Sequence, residues 1–204
     1  MGKARIKAVI FDYGNVFCRV NDQQVINYIA SSFGVPIKKL LPVFSQHIGI
    51  LDRGLIEEDE FWQQLASDLK KPIPQNKKIL FTKKWLDYVI FYPEMFVMVK
   101  KLKKLGYKTA VLSKCIKRLA DIIRQKGGYD DFDEVFISSE IHLDKPDPQV
   151  YLLAARRLKI DPKNCLYIDN KPAYLTPAQR LGMKTILATN PKQVINDIRQ
   201  LLKI

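Results

Sequence analysis

Three residues that carry chemistry stand where an apolar run stops, and a fourth stands just before a helix start. Asp12 follows Val9-Ile10-Phe11 and leads into Tyr13-Gly14-Asn15-Val16. Ser113 ends Ala110-Val111-Leu112-Ser113, and Asp169 follows Leu166-Tyr167-Ile168 and precedes Asn170. Lys145 lies in Asp144-Lys145-Pro146-Asp147-Pro148. A carboxylate just past the carboxyl end of a parallel strand lies where open α/β sheets bind ligands. Taken singly, each residue is weak evidence: such an Asp more often caps a helix, such a Ser closes a turn, and such a Lys is a surface charge. The order Asp, Ser, Lys, Asp, each on its own βα unit, is far more specific.

Those residues need a sheet to position them. Short β-branched and aromatic runs predict strands at 7–11, 107–112, 134–137, 165–168 and 184–187. Amphipathic segments predict helices at 116–126, 148–158, 172–181 and 191–202. Strands alternating with helices of this length imply an α/β fold, a parallel five-stranded Rossmann-like sheet covered on both faces. The stretch 21–92 breaks the rhythm, with helical patterns and no convincing strand. Asp22 is placed to cap a helix through Phe33 that Gly34 ends, and Pro36 to open one over 37–47. Asp52-Arg53-Gly54 reads as a turn. A third helix spans 57–69, acidic where the helix dipole favours negative charge, and a fourth spans 76–89. The expected organisation is a core of residues 1–20 and 93–204, with an all-helical insertion, 21–92, after the first strand.

Composition excludes several classes. Hydrophobic residues make up 47%, as in a folded soluble chain. Three cysteines, Cys18, Cys115 and Cys165, form neither a disulfide framework nor a CxxC zinc motif, which fits a reducing cytoplasm. Asp12 interrupts the first apolar run after four residues, so it reads as a buried strand and not a signal peptide. The apolar stretch 88–99 contains Pro93 and Glu94 and is too short to span a bilayer, so no membrane partner is expected. The net charge is +13, and ten lysines face only Asp87 and Glu94 between Lys70 and Lys104. The doublets Lys70-Lys71, Lys77-Lys78, Lys83-Lys84, Lys100-Lys101 and Lys103-Lys104 read as solvated helix faces. Without an aromatic-interleaved motif or zinc finger, nucleic acid is not the expected partner. Oligomeric state is not readable from these patterns.

Across nearly its whole length the chain resembles the haloacid dehalogenase superfamily. Phe11-Asp12-Tyr13-Gly14-Asn15-Val16 is similar to its first motif, Leu112-Ser113 to the second, Lys145-Pro146-Asp147-Pro148 to the third and Ile168-Asp169 to the fourth. The helical insertion corresponds to a small C1 cap, and Asp52-Arg53-Gly54 with Phe61-Trp62 resembles caps of that branch. The resemblance implies catalysis by Asp12, Ser113 and Lys145, with Asp12 attacking phosphorus to give an aspartyl-phosphate. It implies substrate binding by Tyr13, Gly14, Ser113, Lys114 and Lys145. It also implies Mg2+ held by Asp12, the Gly14 carbonyl, Asp169 and Asn170.

The chain departs from that pattern at four positions. Gly14 stands where phosphatases carry a second Asp, which protonates the leaving oxygen and later activates water. Asn170 replaces a common acidic residue, Lys114 a common Asn, and Tyr174 a common Asn. An Asp-x-Gly-Asn-Val motif does occur among family members classed as hydrolases, served by good leaving groups or by a proton donor from cap or substrate. Cys18 and Cys115 flank the first two motifs and read as buried thiols. His47 and His142 lack the spacing of a metal pair. The expected activity is Mg2+-dependent hydrolysis of a small phosphorylated metabolite. The rivals are a silent anion- or partner-binding member, a metal-independent dehalogenase and, last, a nucleic-acid binder.

Overall fold

The computed structural model describes residues 5–77 and 86–204. In chain order the elements are β1 (Ala8–Phe11), β2 (Cys18–Val20), α1 (Asp22–Phe33), α2 (Ile37–Leu51), α3 (Glu58–Leu69), β3 (Val89–Phe91), α4 (Pro93–Lys104) and β4 (Lys108–Ser113). There follow α5 (Lys117–Gln125), β5 (Glu134–Ile137), α6 (Ser138–Ile141), α7 (Pro148–Leu158), a 3-10 turn (Pro162–Asn164), β6 (Cys165–Asp169), α8 (Pro172–Arg180), β7 (Lys184–Leu187) and α9 (Pro191–Leu202).

Five strands form one parallel sheet in the order β5-β4-β1-β6-β7. Each expected strand forms within one residue of its predicted bounds. β1 is central, with Phe11 opposite Val111 on one side and Ile168 on the other. From β1 the chain builds outward through β4 and β5, then crosses back to β6 and β7. The carboxyl ends of β4, β1 and β6 therefore lie at a topological switch point, where diverging connections open a crevice.

Alternation along the strands divides the core. Val9 and Phe11 face a cluster with Met95, Met98, Val99 and Leu102 of α4 and Val194 and Ile198 of α9. Ala8 and Ile10 face the opposite cluster with Val150, Tyr151 and Ala154 of α7 and Ala178 of α8. Both faces are covered, which is why these strands read as continuous apolar runs.

A third cluster lies in the insertion. Ile29 and Phe33 of α1, Leu40 and Leu51 of α2, and Phe61, Trp62, Leu65 and Leu69 of α3 pack together, joined by Ile116 from the core. Each of the larger side chains contributes about 1.5–3 kcal/mol by burial. Phe44 and Ile48 continue the apolar stripe between Leu40 and Leu51, so α2 runs past the expected end at His47. Asn21, not Asp22, caps α1, its side chain accepting from the Gln24 N–H. Gly34 ends that helix in a left-handed conformation at φ 61°.

The expectation that 21–92 carries no strand is corrected. Val89–Phe91 pairs antiparallel with Cys18–Val20, so the two crossings between core and insertion form one short ribbon. The expected fourth helix, 76–89, falls largely outside the described residues, and its end at Val89 is strand. Lys78, Lys83 and Lys84 also fall outside them. Of the remaining doublet lysines, Lys77 pairs with Asp59 at 2.7 Å, Lys100 with Asp131 at 3.6 Å and Lys103 with Asp133 at 3.8 Å. Lys101, Lys103 and Lys104 occupy the last turn of α4, where cations suit the helix dipole. Among the described residues, no helix is long and apolar enough to cross a membrane.

Candidate active site

Three strand ends and one loop converge at the switch point. The Asp12 N–H, just past β1, donates to the Ile168 carbonyl at 2.8 Å, which fixes the start of the loop. Ser113 is the last residue of β4 and Asp169 the last of β6. Lys145 reaches in from the loop before α7. Its Nζ donates to Asp12 Oδ1 at 2.7 Å and to Asp169 Oδ2 at 2.8 Å. Asp169 has no exposure, Lys145 is 4% exposed and Asp12 8%. One ammonium thus bridges two buried carboxylates, and the three groups together carry one negative charge.

Burial alone would push the Lys145 ammonium toward deprotonation, but Asp12 and Asp169 outweigh it and hold its pKa above the usual lysine value. Burial raises the Asp12 carboxyl above the usual range, Lys145 opposes that, and the like charge of Asp169 adds to it. Asp169 is oriented from two further sides. Its Oδ2 accepts from the Tyr167 hydroxyl, and its Oδ1 accepts from the Lys171 N–H at 2.8 Å. Tyr167 was not among the expected site residues, although residues two apart on a strand share a face.

Asp12, Gly14, Ser113, Lys145 and Asn170 border a cleft of about 350 Å³. A larger groove of about 900 Å³ lies nearby, between Glu57 and Arg118, and none of the four motif residues reaches it. Apart from Gly14 and its chain neighbours Tyr13 and Asn15, no atom of the described residues lies within 4 Å of where a Gly14 Cβ would sit, and its φ is not positive. The left-handed position is Asn15, at φ 58°, a conformation that Asn tolerates. Position 14 therefore has room for a side chain that it does not carry.

Tyr13 borders the cleft, while its buried ring stacks on Phe17 with centroids 5.5 Å apart and meets Tyr129 edge-on at 5.1 Å. Lys114 borders the cleft but is held by Asp144 at 2.8 Å and Asp52 at 3.6 Å. Tyr174 lies against two cations, with Lys145 Nζ 4.9 Å and Lys171 Nζ 5.3 Å from its ring centre. Cys18 and Cys115 are buried, and burial pushes the Cys18 thiol up to about 12 and raises that of Cys115 further. His47 pairs with Asp68 at 2.8 Å. Among the described residues, no three of His, Cys, Asp or Glu cluster as a metal site.

Asp52, read from the sequence as part of a turn that resembles caps of the family and not as a site residue, lies directly after α2. Its side chain is 14% exposed and borders the cleft. The turn is fixed to the start of α6. Ser138 Oγ donates to the Asp52 carbonyl, and His142 Nδ1 donates to the Arg53 carbonyl at 3.0 Å. Gly54, at φ 63°, sits so close that a Cβ would lie 2.2 Å from the Ser139 carbonyl oxygen. Gly54→Ala is expected to lower stability by about 1–3 kcal/mol through this overlap and the left-handed strain. Urea unfolding should show it as a reduced midpoint, and an unchanged midpoint would mean that the turn is not docked this tightly.

Comparison with known proteins adds to this geometry. Residues 6–182 match the haloacid dehalogenase-like hydrolase family. The chain is 31% identical over 157 residues to the phosphoglycolate phosphatase of Psychrobacter arcticus, covering 74% of this chain and 67% of that protein. It is 23% identical over 210 residues to phosphatase MT3486 of Mycobacterium tuberculosis, covering 96% and 95%. The fold is similar to that of the HAD family enzyme BT-2542 of Bacteroides thetaiotaomicron, with TM-score 0.80, 20% identity and 94% and 98% of the chains covered. A complex of that enzyme with magnesium and inorganic phosphate gives TM-score 0.74 at 22% identity, covering 91% and 96%. The 2-haloacid dehalogenase of Pseudomonas syringae gives 0.69 at 17% identity, covering 97% and 98%. At such identities the structural likenesses show the fold alone.

Proposed function

Because the chain belongs to the haloacid dehalogenase-like hydrolases, we propose that it hydrolyses a small phosphorylated metabolite through an aspartyl-phosphate on Asp12, with Mg2+ as cofactor. The observation that carries this reading is the Lys145 ammonium, hydrogen-bonded to Asp12 and Asp169 at 2.7 and 2.8 Å at the switch point of the sheet. Two relatives named as phosphatases and a neighbouring fold complexed with magnesium and inorganic phosphate agree with it.

The donor set fits the metal. Asp12, Asp169, the Gly14 carbonyl and the Asn170 side chain offer oxygen, which suits a hard cation that also keeps waters and binds substrate phosphate. Tyr167 and Lys171 orient Asp169 as outer-shell partners orient metal-binding carboxylates. When bound, the ion would neutralise charge on the phosphoryl group.

The chain's own residues supply the rest. A carboxylate is a weak nucleophile, so its placement must do much of the work. Lys145 holds Asp12 through Oδ1 and sets a fixed positive charge beside the nucleophile and the incoming phosphoryl group. The Ser113 hydroxyl donates to a phosphoryl oxygen, as do the main-chain N–H groups beside Asp12. Lys114 offsets the carboxylates of Asp144 and Asp52 at the mouth of the cleft. Residues 21–92 act as the cap over the core of 1–20 and 93–204, excluding water and selecting the leaving group.

The test is phosphate release from a panel of sugar, triose and carboxylic-acid phosphates, with Mg2+ or with chelator. Turnover of at least one substrate, lost by about 10²-fold or more on chelation, is expected. Halide release from 2-haloacids that is indifferent to chelator, with no phosphate release, would overturn the reading in favour of a dehalogenase.

A further inference from the structure

Position 14 and the buried carboxylates of the sheet supply no acid for the leaving oxygen. Gly14 has no side chain, Asp169 is enclosed by Lys145 and Tyr167, and Asp12 is the nucleophile of the proposed reaction. Two further carboxylates border the cleft among the described residues, Asp22 and Asp52. Asp22 sits in the exposed first turn of α1. Asp52 is largely buried and borders the cleft, and its turn is docked on α6 and the residue after it through Ser138, Ser139 and His142, so the core fixes the main chain that carries its carboxyl.

Resting on the phosphohydrolase reading, we propose that Asp52 is the acid and base of this site, doing from the insertion what a carboxyl at position 14 would otherwise do. Asp12 attacks phosphorus as the bond to the leaving oxygen breaks, and the Asp52 proton passes to that oxygen, releasing the alcohol. The Asp52 carboxylate then takes a proton from water. That water's oxygen bonds to phosphorus, the Asp12–phosphorus bond breaks, and inorganic phosphate leaves with Asp12 and protonated Asp52 restored. The space beside Gly14 is not filled by another residue's side chain, and Gly14, Asp12 and Asp52 border the same cleft.

The charges around Asp52 suit both roles. Lys114 faces it from the end of β4, Asp144 from the loop before Lys145, and Lys171 from the loop after β6. Burial raises its carboxyl, Lys114 and Lys171 oppose that and Asp144 adds to it, leaving a pKa of about 6. Such a group is available near neutrality both as acid and as base.

Asp52→Asn tests the proposal, because it keeps the size of the side chain and the carbonyl that Ser138 contacts. With ethyl phosphate, whose leaving group needs a proton, turnover should fall by about 10²- to 10⁴-fold. With 4-nitrophenyl phosphate, whose leaving group needs none, the variant should release a burst of about one equivalent of nitrophenol and then turn over slowly, because water is no longer activated. Wild-type kcat on ethyl phosphate should fall as pH rises through about 6, a limb that the variant lacks. Ethyl phosphate turnover unchanged in Asp52→Asn would overturn the proposal. So would equal losses in the burst and in both turnovers, which mark a structural role, and so would a selective loss appearing in Asp22→Asn instead. Asp12→Asn separates the parent reading: it should show no burst, and a burst retained there would sink the aspartyl-phosphate itself.

Discussion

Asp12→Asn is expected to abolish hydrolysis of 4-nitrophenyl phosphate, with kcat falling by about 10⁴- to 10⁶-fold, the scale on which covalent enzymes lose rate when the nucleophile is removed. The amide matches the carboxylate in size and its oxygen still accepts from Lys145, so the strand end and loop should stay in place. Nucleophilicity is what changes. Stopping the reaction in acid and weighing the intact chain should find a phosphorylated form in wild type and none in the variant. Equal turnover by the two proteins with Mg2+ present would remove Asp12 from the chemistry and favour a ligand-binding role for the cleft.

Lys145→Met is expected to damage both stability and rate. Its ammonium lies between two buried carboxylates, and removing one partner of such a set typically costs about 3–5 kcal/mol because the remaining charges are left uncompensated. Losing a fixed positive group beside the developing phosphoryl charge should lower kcat by about 10²- to 10³-fold. Millimolar Mg2+ should recover part of the lost stability, since a ligand that binds only the folded state raises its unfolding midpoint. Urea unfolding of wild type and variant, each with and without Mg2+, provides the measurement. An unchanged midpoint without the ion would mean that Lys145 does not neutralise the pair.

Local signals made the core legible. Asp12, Ser113 and Asp169 stand at the ends of runs whose apolar character follows from burial on both faces, and the helix after Lys145 starts where Asp147-Pro148 predicts. What escaped depends on distant pairing. Val89-Ile90-Phe91 is too short to announce a strand until Cys18–Val20 lies beside it. The helix α4 hides in a stretch where Pro93 reads as an interruption, although Pro is at home in a first helical turn. Asp52 looks like any turn residue until Ser138, far along the chain, fixes its carbonyl. Tyr167 was accessible in principle, being two residues before Asp169 on one strand. Gly14 carries the opposite lesson. A glycine two residues past the nucleophile suggests a backbone that needs positive φ, yet its φ is not positive and the left-handed residue is Asn15.

The ribbon of Cys18–Val20 and Val89–Phe91 bears on how such a chain diversifies. Paired strands keep their backbones about 4.5–5.5 Å apart, so the insertion departs and returns through one doorway. Anything whose two ends meet at that spacing can be transplanted there without altering the parallel sheet behind it. On the proposed reading, such an exchange changes the leaving-group selection and leaves the nucleophile and its lysine in place. The sheet keeps Asp12, Lys145 and Asp169 together, while a replacement cassette can bring a new leaving-group preference. Because Asp52 belongs to the exchangeable part, a swap that omits it would carry away the proton donor assigned to it here, and a graft would need to restore a carboxyl at that place or at position 14.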